Sequence, residues 1–486
     1  MPVRGYNREQ AFLLPIDPED MLPPWHAARF IAAFVDQLES EDWLELEIPA
    51  QGDGLGAPAY NPRVLLSIWL YGGLAKVVHL RPLAQACRES IPFMWLAGYQ
   101  RPDHNTLWRF YDRHRKQIRK LFVSTVRTAQ ALGLFDPDVQ ALDGSKIAGN
   151  ASRDKSYNAK QMERVLERVN RLLDDMERQA RAEGAAPELR LPQALANATV
   201  LREQIRAAQA RMAAEGGPKQ VNLTDPEATL MKGRQGFIAG FNAQAMVAPI
   251  PADRLGEPGL FITAVDVVTD PEDHGQLAPM IDAARAAGVT ATVILADAGY
   301  HSGANLEACA ERGQEILMPE SVPDRVLDQP YHKDRFQHDP DADTYSCPEG
   351  QVLRFSGVKQ KTGREPVRIY RAGAVCKTCP AFGTCTTSKE GRALEIGPHD
   401  EALREHRARM RTEEAKRLYR LRKILPEPVF GILKEQCGLR RFLVRGVDKA
   451  RDWWAFAALG FNLRGLYRAW LQRPAGQPWR FARIAS

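Results

Sequence analysis

The 486-residue sequence contains no apolar run of the roughly 20 residues that a membrane-spanning helix requires. Its first residues also lack the apolar stretch of a signal peptide. Charge of one sign is not in large excess, since the formal net charge is +6, and a hydrophobic content of 44% excludes a wholly disordered chain. We therefore expect a globular cytoplasmic protein with no membrane partner.

Cysteine is scarce, and its seven residues are unevenly placed. Cys87, Cys309 and Cys437 stand alone in apolar or helical sequence, where cysteine usually behaves as a small buried hydrophobe. In a reducing cytoplasm, the clustering of the other four favours a metal site over disulfide bonds. These four are Cys347, Cys376, Cys379 and Cys385.

The spacing of the clustered cysteines is Cys-x2-Cys-x5-Cys with one more distant partner, Cys347. Four thiolates suit a closed, tetrahedral structural zinc ion, which leaves no coordination position open for catalysis. His338 is an alternative ligand to Cys347. The alternative to zinc is an insert of reduced thiols that packing holds together.

Positive charge is concentrated near the end of the sequence. Residues 400–486 contain 20 Lys and Arg against 9 Asp and Glu, a balance of +11, so the rest of the chain carries −5 of the total of +6. A segment this basic indicates a polyanionic partner, and nucleic acid is the default candidate. The alternative is a solvated arginine-rich helical surface.

The pattern of apolar residues predicts an α/β chain. Residues 1–135 have the spacing of short helices, which form either a helix-turn-helix or a packing and dimerisation unit. Strand-like sequence follows at 136–150, 236–247 and 260–268, and a helix is predicted over 276–287. Strands alternating with helices in this way are typical of α/β folds.

Four helical segments stand outside this alternation. Residues 156–218 predict a charged helical hairpin broken at Pro187 and Pro192, which we interpret as a packing arm. Asn105 or Thr106 is expected to cap a helix earlier in the chain. Residues 402–425 predict one long basic helix, and residues 453–470 predict an apolar core helix.

Three acidic residues stand where such a chain would bind metal ions. Asp143 and Asp297 each follow a run of strand-forming residues, and Glu427 opens a helix. Mg²⁺ prefers oxygen ligands, and two such ions can activate an attacking oxygen and stabilise a leaving one on phosphate. Taken alone, an Asp-Gly pair after a strand is also a common turn.

Basic residues flank the glutamate. Lys434 lies seven residues after Glu427, which in an α-helix is two turns on one face, about 10 Å apart. Tyr419, Arg422 and Lys423 precede the glutamate and extend the same face. A metal-binding carboxylate and phosphate-binding cations would then act on one DNA strand.

Together these motifs resemble the DDE transposases of bacterial insertion sequences, and most of all the insertion sequence 1182-type branch, which is related to the insertion sequence 4- and 5-type enzymes. Residues 142–146 (Leu-Asp-Gly-Ser-Lys), residues 296–300 (Ala-Asp-Ala-Gly-Tyr) and residues 419–434 carry the resemblance. Residues 102–110, 222–226 and 240–244, with the cysteine cluster, extend it over essentially the whole chain.

The resemblance implies an α/β, RNase H-like catalytic core with three additions: an N-terminal helical domain, a helical-hairpin insertion and a zinc-ribbon-like insertion. It implies an N-terminal domain for end-DNA binding or dimerisation (residues 1–135) and a first part of the core (136–318) that contains the helical insertion (156–218). A cysteine-rich insertion (319–395) and the completion of the core (396–486) follow.

The resemblance also implies roles for single residues. Asp143, Asp297 and Glu427 would be the catalytic triad and would bind two Mg²⁺ or Mn²⁺ ions, while the four clustered cysteines would bind structural Zn²⁺. The residues matching the family's Tyr-Arg-Glu-Lys signature, which would contact DNA, are Tyr419, Arg422 or Lys423, and Lys434.

Two positions depart from the family pattern. The signature has three residues between arginine and glutamate, whereas four separate Arg422 from Glu427. Lys423 fits the spacing but not the identity, so either cation is a candidate. Phe241 stands where the branch often has tyrosine.

The implied function is that of a transposase that binds terminal inverted repeats in double-stranded DNA, cleaves there with Mg²⁺ and joins the freed end to target DNA. Joining two ends requires at least two protomers, so we expect a homodimer or larger assembly on DNA, associated with the nucleoid. The alternatives are a domesticated, non-catalytic zinc-ribbon DNA-binding protein and a metal-dependent nuclease that cuts without joining.

Overall fold

A computed structural model describes residues 17–49, 59–182, 193–214, 216–233, 236–360, 365–474 and 479–484. The first residues of the chain and the two prolines expected to break the hairpin, Pro187 and Pro192, lie outside this part. Within it, no single helix has both the length and the apolar composition needed to cross a membrane, although one bent pair, Pro62–Ala75 with Leu80–Glu89, passes that test together.

Seven helices form the first layer of the fold. Asn61 accepts the N–H of Arg63, and Pro62 occupies the first turn behind it, which confirms one of the short helices predicted within residues 1–135. The predicted cap at Asn105 or Thr106 is wrong, because Asp103 accepts the N–H of Thr106 at 2.7 Å and starts the helix earlier. The helices are α1 (Pro18–Met21), α2 (Ala27–Asp36), α3 (Ser40–Glu45), α4 (Pro62–Ala75), α5 (Leu80–Glu89), α6 (Ile91–Leu96) and α7 (His104–Ala131).

A mixed six-stranded sheet follows, and it contains the strands predicted from residues 136–150, 236–247 and 260–268. The strands in chain order are β1 (Val139–Ala148), β2 (Ser156–Tyr157), β3 (Val221–Asn222), β4 (Thr229–Gly233), β5 (Gly236–Ile250), β6 (Gly259–Val268), β7 (Val293–Leu295) and β8 (Glu315–Leu317). One edge of β5 pairs with β1, and its other edge pairs first with β4 and then with β6, all antiparallel. On the far side of β1, strands β7 and β8 run parallel to it. Strands β2 and β3 pair only with each other.

The remaining helices include the hairpin and the C-terminal elements. The hairpin helices pack around their own apolar core, which includes Met162, Leu173 and Ile205. The helices are α8 (Ala159–Ala182), α9 (Gln193–Ala213), α10 (Ala252–Leu255), α11 (Leu277–Ala286), α12 (Gly303–Glu311), α13 (Asp324–Leu327), α14 (Asp400–Met410), α15 (Glu413–Tyr419), α16 (Leu421–Ile424), α17 (Pro426–Gly431) and α18 (Val447–Leu471).

The single basic helix predicted over residues 402–425 is wrong, since three short helices occupy that stretch. Thr412 has an extended backbone, and its hydroxyl accepts the N–H of Ala415 at 3.2 Å, so it ends one helix and caps the next. Threonine competes with the helical backbone for hydrogen bonds in this way. The apolar helix predicted over residues 453–470 is confirmed as part of α18.

The cysteine-rich region contains a second, five-stranded antiparallel sheet. Its strands are β9 (Gln337–Asp339), β10 (Thr344–Ser346), β11 (Val352–Lys359), β12 (Val367–Arg371) and β13 (Ala393–Ile396). They lie in the spatial order β13-β12-β11-β10-β9. Phe336, Tyr345, Leu353, Tyr370 and Leu394 form a separate apolar core there.

Helix α18 connects the helical layer to the central sheet. Its buried residues Trp453, Trp454 and Phe456 belong to one large core that also contains residues of α4, α7 and β5. The opposite face of the sheet is covered by α11 and α12. The sheet is therefore buried on both faces in the region where β1 and β7 lie side by side.

Candidate active site

The positions of Asp143 and Asp297 follow from the pairing of two parallel strands. Ala141 of β1 lies opposite Leu295 of β7, and each aspartate stands two residues further along its own strand direction. The two carboxylates are therefore at the same level of the sheet. The expectation that Asp143 follows its strand is corrected, because β1 continues through the aspartate to Ala148, whereas β7 ends before Asp297.

Helix α17 carries the third acid. Glu427 is the second residue of this helix, behind Pro426, as predicted. Val429 and Phe430 on its buried side fix the helix, and the Phe430 ring stacks on Trp454 of α18 at 5.8 Å. Burial of that face leaves Glu427 directed away from the core and toward the strand ends.

All three acids meet at one cation, Arg422. Its Nη2 atom lies 3.0 Å from Asp143 Oδ1 and 3.6 Å from Asp297 Oδ2, and its Nη1 atom lies 3.6 Å from Glu427 Oε1. The Arg422 side chain is only 13% exposed, and its buried Nε atom has no hydrogen-bond partner in the described part of the chain. The three acids expected to converge are thus gathered around a guanidinium.

Burial dominates the electrostatics of Asp143. It raises the pKa of the Asp143 carboxyl to about 6, against the opposing effect of the Arg422 charge, and the neighbouring Asp297 charge adds to the increase. The Gly144 N–H donates to Asp143 Oδ1 at 2.9 Å. Because a buried carboxylate is costly without a partner, this position favours an adjacent cation.

No group of three or more His, Cys, Asp or Glu side chains among the described residues is placed to hold a metal ion. The donor chemistry nevertheless fits a hard divalent ion, since three carboxylates from separate elements surround one positive charge. The guanidinium of Arg422 lies among the oxygens that would bind such an ion.

A fourth acid, Asp273, lies beside this group, and the sequence reasoning missed it. It accepts hydrogen bonds from Asn242 Nδ2 at 2.6 Å, Gln244 Nε2 at 2.9 Å and Lys146 Nζ at 3.1 Å. Its charge also contributes to the raised pKa of Asp143. A usable signal was the buried, polar Asn-x-Gln on the otherwise apolar strand β5, because buried amides require partners.

The residues of the basic signature around the glutamate lie in different environments. Lys434 donates a hydrogen bond to Ser145, two residues beyond Asp143 on β1. Lys423 is exposed, whereas Arg422 faces the acids and Tyr419 is partly buried, with its pKa raised by burial. Arg422 is therefore the cation at the acids despite its longer spacing.

The prediction that Glu427 and Lys434 are separated by two α-helical turns is wrong. Helix α17 passes into a π-helical turn at Ile432–Gln436, which contains the lysine. A π turn is wider than an α turn and changes the direction in which later side chains point. It allows Lys434 to contact Ser145 on the strand.

The four clustered cysteines line one small cavity of about 20 Å³ in the second sheet's region. Burial raises the pKa of the Cys385 thiol, and the other three cysteines add to that effect. Four cysteines are the residue types of a structural zinc site. In the described part of the chain, however, their thiols are not spaced to hold a metal ion. His338, the alternative ligand, stacks on Tyr345 at 4.6 Å.

Two family models match this chain. The Transposase domain (DUF772) matches residues 16–113, and the Transposase DDE domain matches residues 346–467. Glu427 and the basic residues around it lie within the second match, whereas Asp143 and Asp297 lie between the two. No curated protein and no solved structure matches the chain significantly.

Proposed function

Because this chain belongs to the DDE transposases of insertion sequences, we propose that Asp143, Asp297 and Glu427 are its catalytic residues for DNA cleavage and strand transfer. The observation that carries the proposal is their convergence on Arg422 from three elements that are distant in sequence. The motifs quoted above support the further proposal that the chain belongs to the insertion sequence 1182-type branch.

The topology of the central sheet supports an RNase H-like core. Ignoring the short β4, the strands lie in the order β6-β5-β1-β7-β8, with three antiparallel strands followed by two parallel ones. The hairpin helices and the cysteine-rich sheet are then insertions into this core, and the domain division given above follows from them.

Asp143, Asp297 and Glu427 would hold Mg²⁺ or Mn²⁺, which their hard oxygen donors suit. Two bound ions supply Lewis-acid activation of the attacking oxygen and stabilisation of the leaving oxygen. Arg422 would then no longer be paired with the three carboxylates, and its positive charge could bind a phosphate oxygen. Lys434, on Ser145 beside Asp143, would hold another phosphate oxygen of the same strand.

The chemistry consists of two displacements at phosphorus. Water attacks a phosphodiester at the end of the element, the bond from phosphorus to O3′ breaks, and the leaving oxygen takes a proton to become a 3′-hydroxyl. That hydroxyl then loses its proton, attacks a target phosphodiester and displaces the target's 3′ oxygen. The acids position the reacting groups in both steps.

The partners follow from the same proposal. The basic residues 400–486 would contact the DNA backbone without reading its sequence, and the N-terminal helices would read the terminal inverted repeats. Bringing two ends together requires at least two protomers, so the active form is a homodimer or a larger assembly on DNA. Such an enzyme works in the cytoplasm on the nucleoid.

The first test uses the purified protein, Mg²⁺ and a labelled DNA fragment carrying the inverted repeats that bracket its own coding region. We expect Asp143→Asn, Asp297→Asn and Glu427→Gln each to reduce cleavage by at least about 1,000-fold, because each removes a carboxylate that would hold the metal ions. Binding of the fragment should remain. Glu203→Gln, an exposed position on α9, is the control.

The outcomes separate the candidate functions. Cleavage followed by joining to target DNA supports the transposase. Cleavage without joining indicates a nuclease, and binding without cleavage indicates a repurposed DNA-binding protein. Full activity in any one of the three acid variants would remove that residue from the catalytic set.

We also propose that Cys347, Cys376, Cys379 and Cys385 bind a structural zinc ion, since four thiols surround one small cavity. Replacing Cys376 and Cys379 by serine should lower the zinc content from one ion per chain toward zero, as measured by metal analysis of the purified protein. Cys309→Ser, which changes a buried cysteine outside the cluster, is the control. Equal zinc content in all three proteins would exclude the site.

A further inference from the structure

A cleft of about 510 Å³ lies at the far end of β1 from the acids, and four cationic side chains line it. They come from separate parts of the chain, and the single acid in the lining is Asp154. The lining therefore carries a net charge of +3. The cations are Arg153, Lys155, Arg441 and Arg445.

The cations of the cleft are accessible to a ligand. All four are exposed, and Arg153 forms only a surface pair with Asp154 at 3.4 Å. Arg445 donates to the backbone oxygen of Asn150 at 3.3 Å, which orients it without neutralising its charge. The charges that oppose these cations are the exposed Asp154 and the buried Asp225, whose carboxyl interacts with Arg445, so the cleft keeps a positive excess.

An aromatic ring stands among these cations. Phe237, near the start of β5, lines the cleft and is 54% exposed, which is unusual for a phenylalanine on a strand of the main sheet. The small side chains of Ala148, Ala151 and Ala239 leave the cleft open beneath it. Cations beside an exposed ring match the two chemical parts of a nucleotide, the phosphate and the base with its sugar.

The cleft is continuous with the candidate active site along β1. After Glu427 the chain follows this strand: Lys434 contacts Ser145, and further on Phe442 donates its N–H to the oxygen of Ala148 at 2.8 Å. Ala148 also pairs with Arg441 in an isolated bridge. A line of cations therefore runs from the acids to the cleft.

The distance along this line has the scale of a short DNA segment. Asp143 and Ala148 are five residues apart on one strand, which at about 3.4 Å per residue is roughly 17 Å. One strand of B-DNA advances 3.4 Å per nucleotide. A duplex whose axis lies along β1 would therefore place the cleft about five base pairs from a phosphate bound at the acids.

We propose that this cleft binds the backbone of a DNA duplex lying along β1, about five base pairs from the cleaved phosphodiester. Arg441 and Arg445 bind the phosphates, and Phe237 packs against the sugar or base between them. The inference rests on the proposed function for the location of the cleaved bond, but the binding of DNA in the cleft can be measured without cleavage.

The first experiment measures binding of a labelled 30-base-pair duplex by fluorescence anisotropy without divalent metal, at several salt concentrations. The double variant Arg441→Ala with Arg445→Ala should lower the slope of log affinity against log salt by about 1 for each arginine removed. Phe237→Ala should weaken binding about fivefold or more with an unchanged slope, because it removes no charge. The control is Arg171→Ala, an exposed arginine on α8 outside the cleft.

An unchanged salt slope in the double arginine variant overturns the proposal, whether or not the wild-type protein cleaves DNA. Hydroxyl-radical footprinting on the end fragment supplies a second measurement. The double variant should lose protection about five nucleotides from the cleavage position and keep it at that position. Protection lost at the cleavage position alone would also overturn the proposal, whereas a wild-type protein that binds this DNA but never cuts it contradicts only the catalytic function.

Discussion

At the scale of single residues, Arg422 decides how the acidic group is held together. Three carboxylates at close range repel one another, and the guanidinium between them offsets that repulsion. Only Asp143 of the three is strongly buried, at 15% exposure, so the cation matters most for this residue. Arg422 is therefore both a stabilising partner of the acids and a competitor for any metal ion that binds them.

Replacing this arginine should consequently strengthen metal binding. We expect Arg422→Gln to bind Mn²⁺ about tenfold more tightly than the wild-type chain in the absence of DNA, because the ion no longer displaces a guanidinium held by ion pairs with the three carboxylates. Isothermal titration calorimetry measures the affinity. Lys423→Gln removes the adjacent exposed cation and should leave it unchanged; weaker binding in Arg422→Gln would show that the arginine supports the metal instead.

At the scale of elements, α14 packs against the segment that follows Asp297. His406 of α14 and His301 of that segment face each other with ring centroids 5.8 Å apart, and Arg407 and Glu320 are the charged groups nearby. Burial, followed by the His301 charge, lowers the pKa of His406 to about 4. This helix therefore packs well only while its histidine is neutral.

The packing of α14 against the segment that follows Asp297 should accordingly be less stable in acid. Between pH 6.5 and pH 4 the unfolded chain binds a proton at His406 that the folded chain does not, so folding stability falls as the pH decreases through this window. We expect His406 to lower the free energy of unfolding by about 2 kcal/mol on going from pH 7 to pH 5. Urea denaturation at both pH values measures it.

The histidine itself can be tested by substitution. His406→Gln should make the loss of stability between pH 7 and pH 5 smaller by about the same amount, since glutamine does not titrate. His274→Gln, at an exposed histidine, should retain the wild-type loss. An identical pH dependence in the wild-type protein and in His406→Gln would contradict the role of this residue.

At the scale of the whole molecule, α18 joins the helical layer to the sheet through a close crossing with α4. A Cβ atom built on Gly460 of α18 would lie 2.8 Å from the backbone carbon and oxygen of Gly73. The two helices can approach this closely because position 460 is glycine; a Cβ atom on Gly73 would lie 3.3 Å from the Phe456 ring, a tighter contact than usual but not a backbone clash. The same helix carries the tryptophan that supports α17, so this contact also influences the position of Glu427.

We expect Gly460→Ala to lower the free energy of unfolding by about 2 kcal/mol or more, because backbone atoms on α4 must shift to admit the methyl group. Thermal denaturation followed by circular dichroism measures the change. Gly465→Ala is a matched control on the same helix, since its Cβ would lie at an ordinary 3.5 Å from Phe261. It should be neutral or stabilising by up to about 1 kcal/mol; equal destabilisation of both variants would contradict the close crossing.

The elements that sequence reasoning located correctly have strong local signals. Strands β5 and β6 contain long runs of strand-forming residues, and α11 and the hairpin helices repeat apolar residues at helical spacing. Helix α4 begins with a proline after a capping asparagine. Two errors in helix boundaries occurred where a side chain accepted a backbone hydrogen bond. Asp103 and Thr412 each accept a backbone N–H and move a helix boundary, and such bonds leave only a weak trace in composition.

The sequence by itself determined the candidate catalytic residues: one aspartate on a strand, one just after a strand, a glutamate at a helix start and a basic region near them. Only the tertiary structure decided that Arg422 and not Lys423 meets the acids, that Asp273 stands beside them, and that a basic cleft continues their line along β1. Residue type is a local property, whereas these contacts depend on strand register and on a π turn. Both of those are set by packing between segments far apart in the chain.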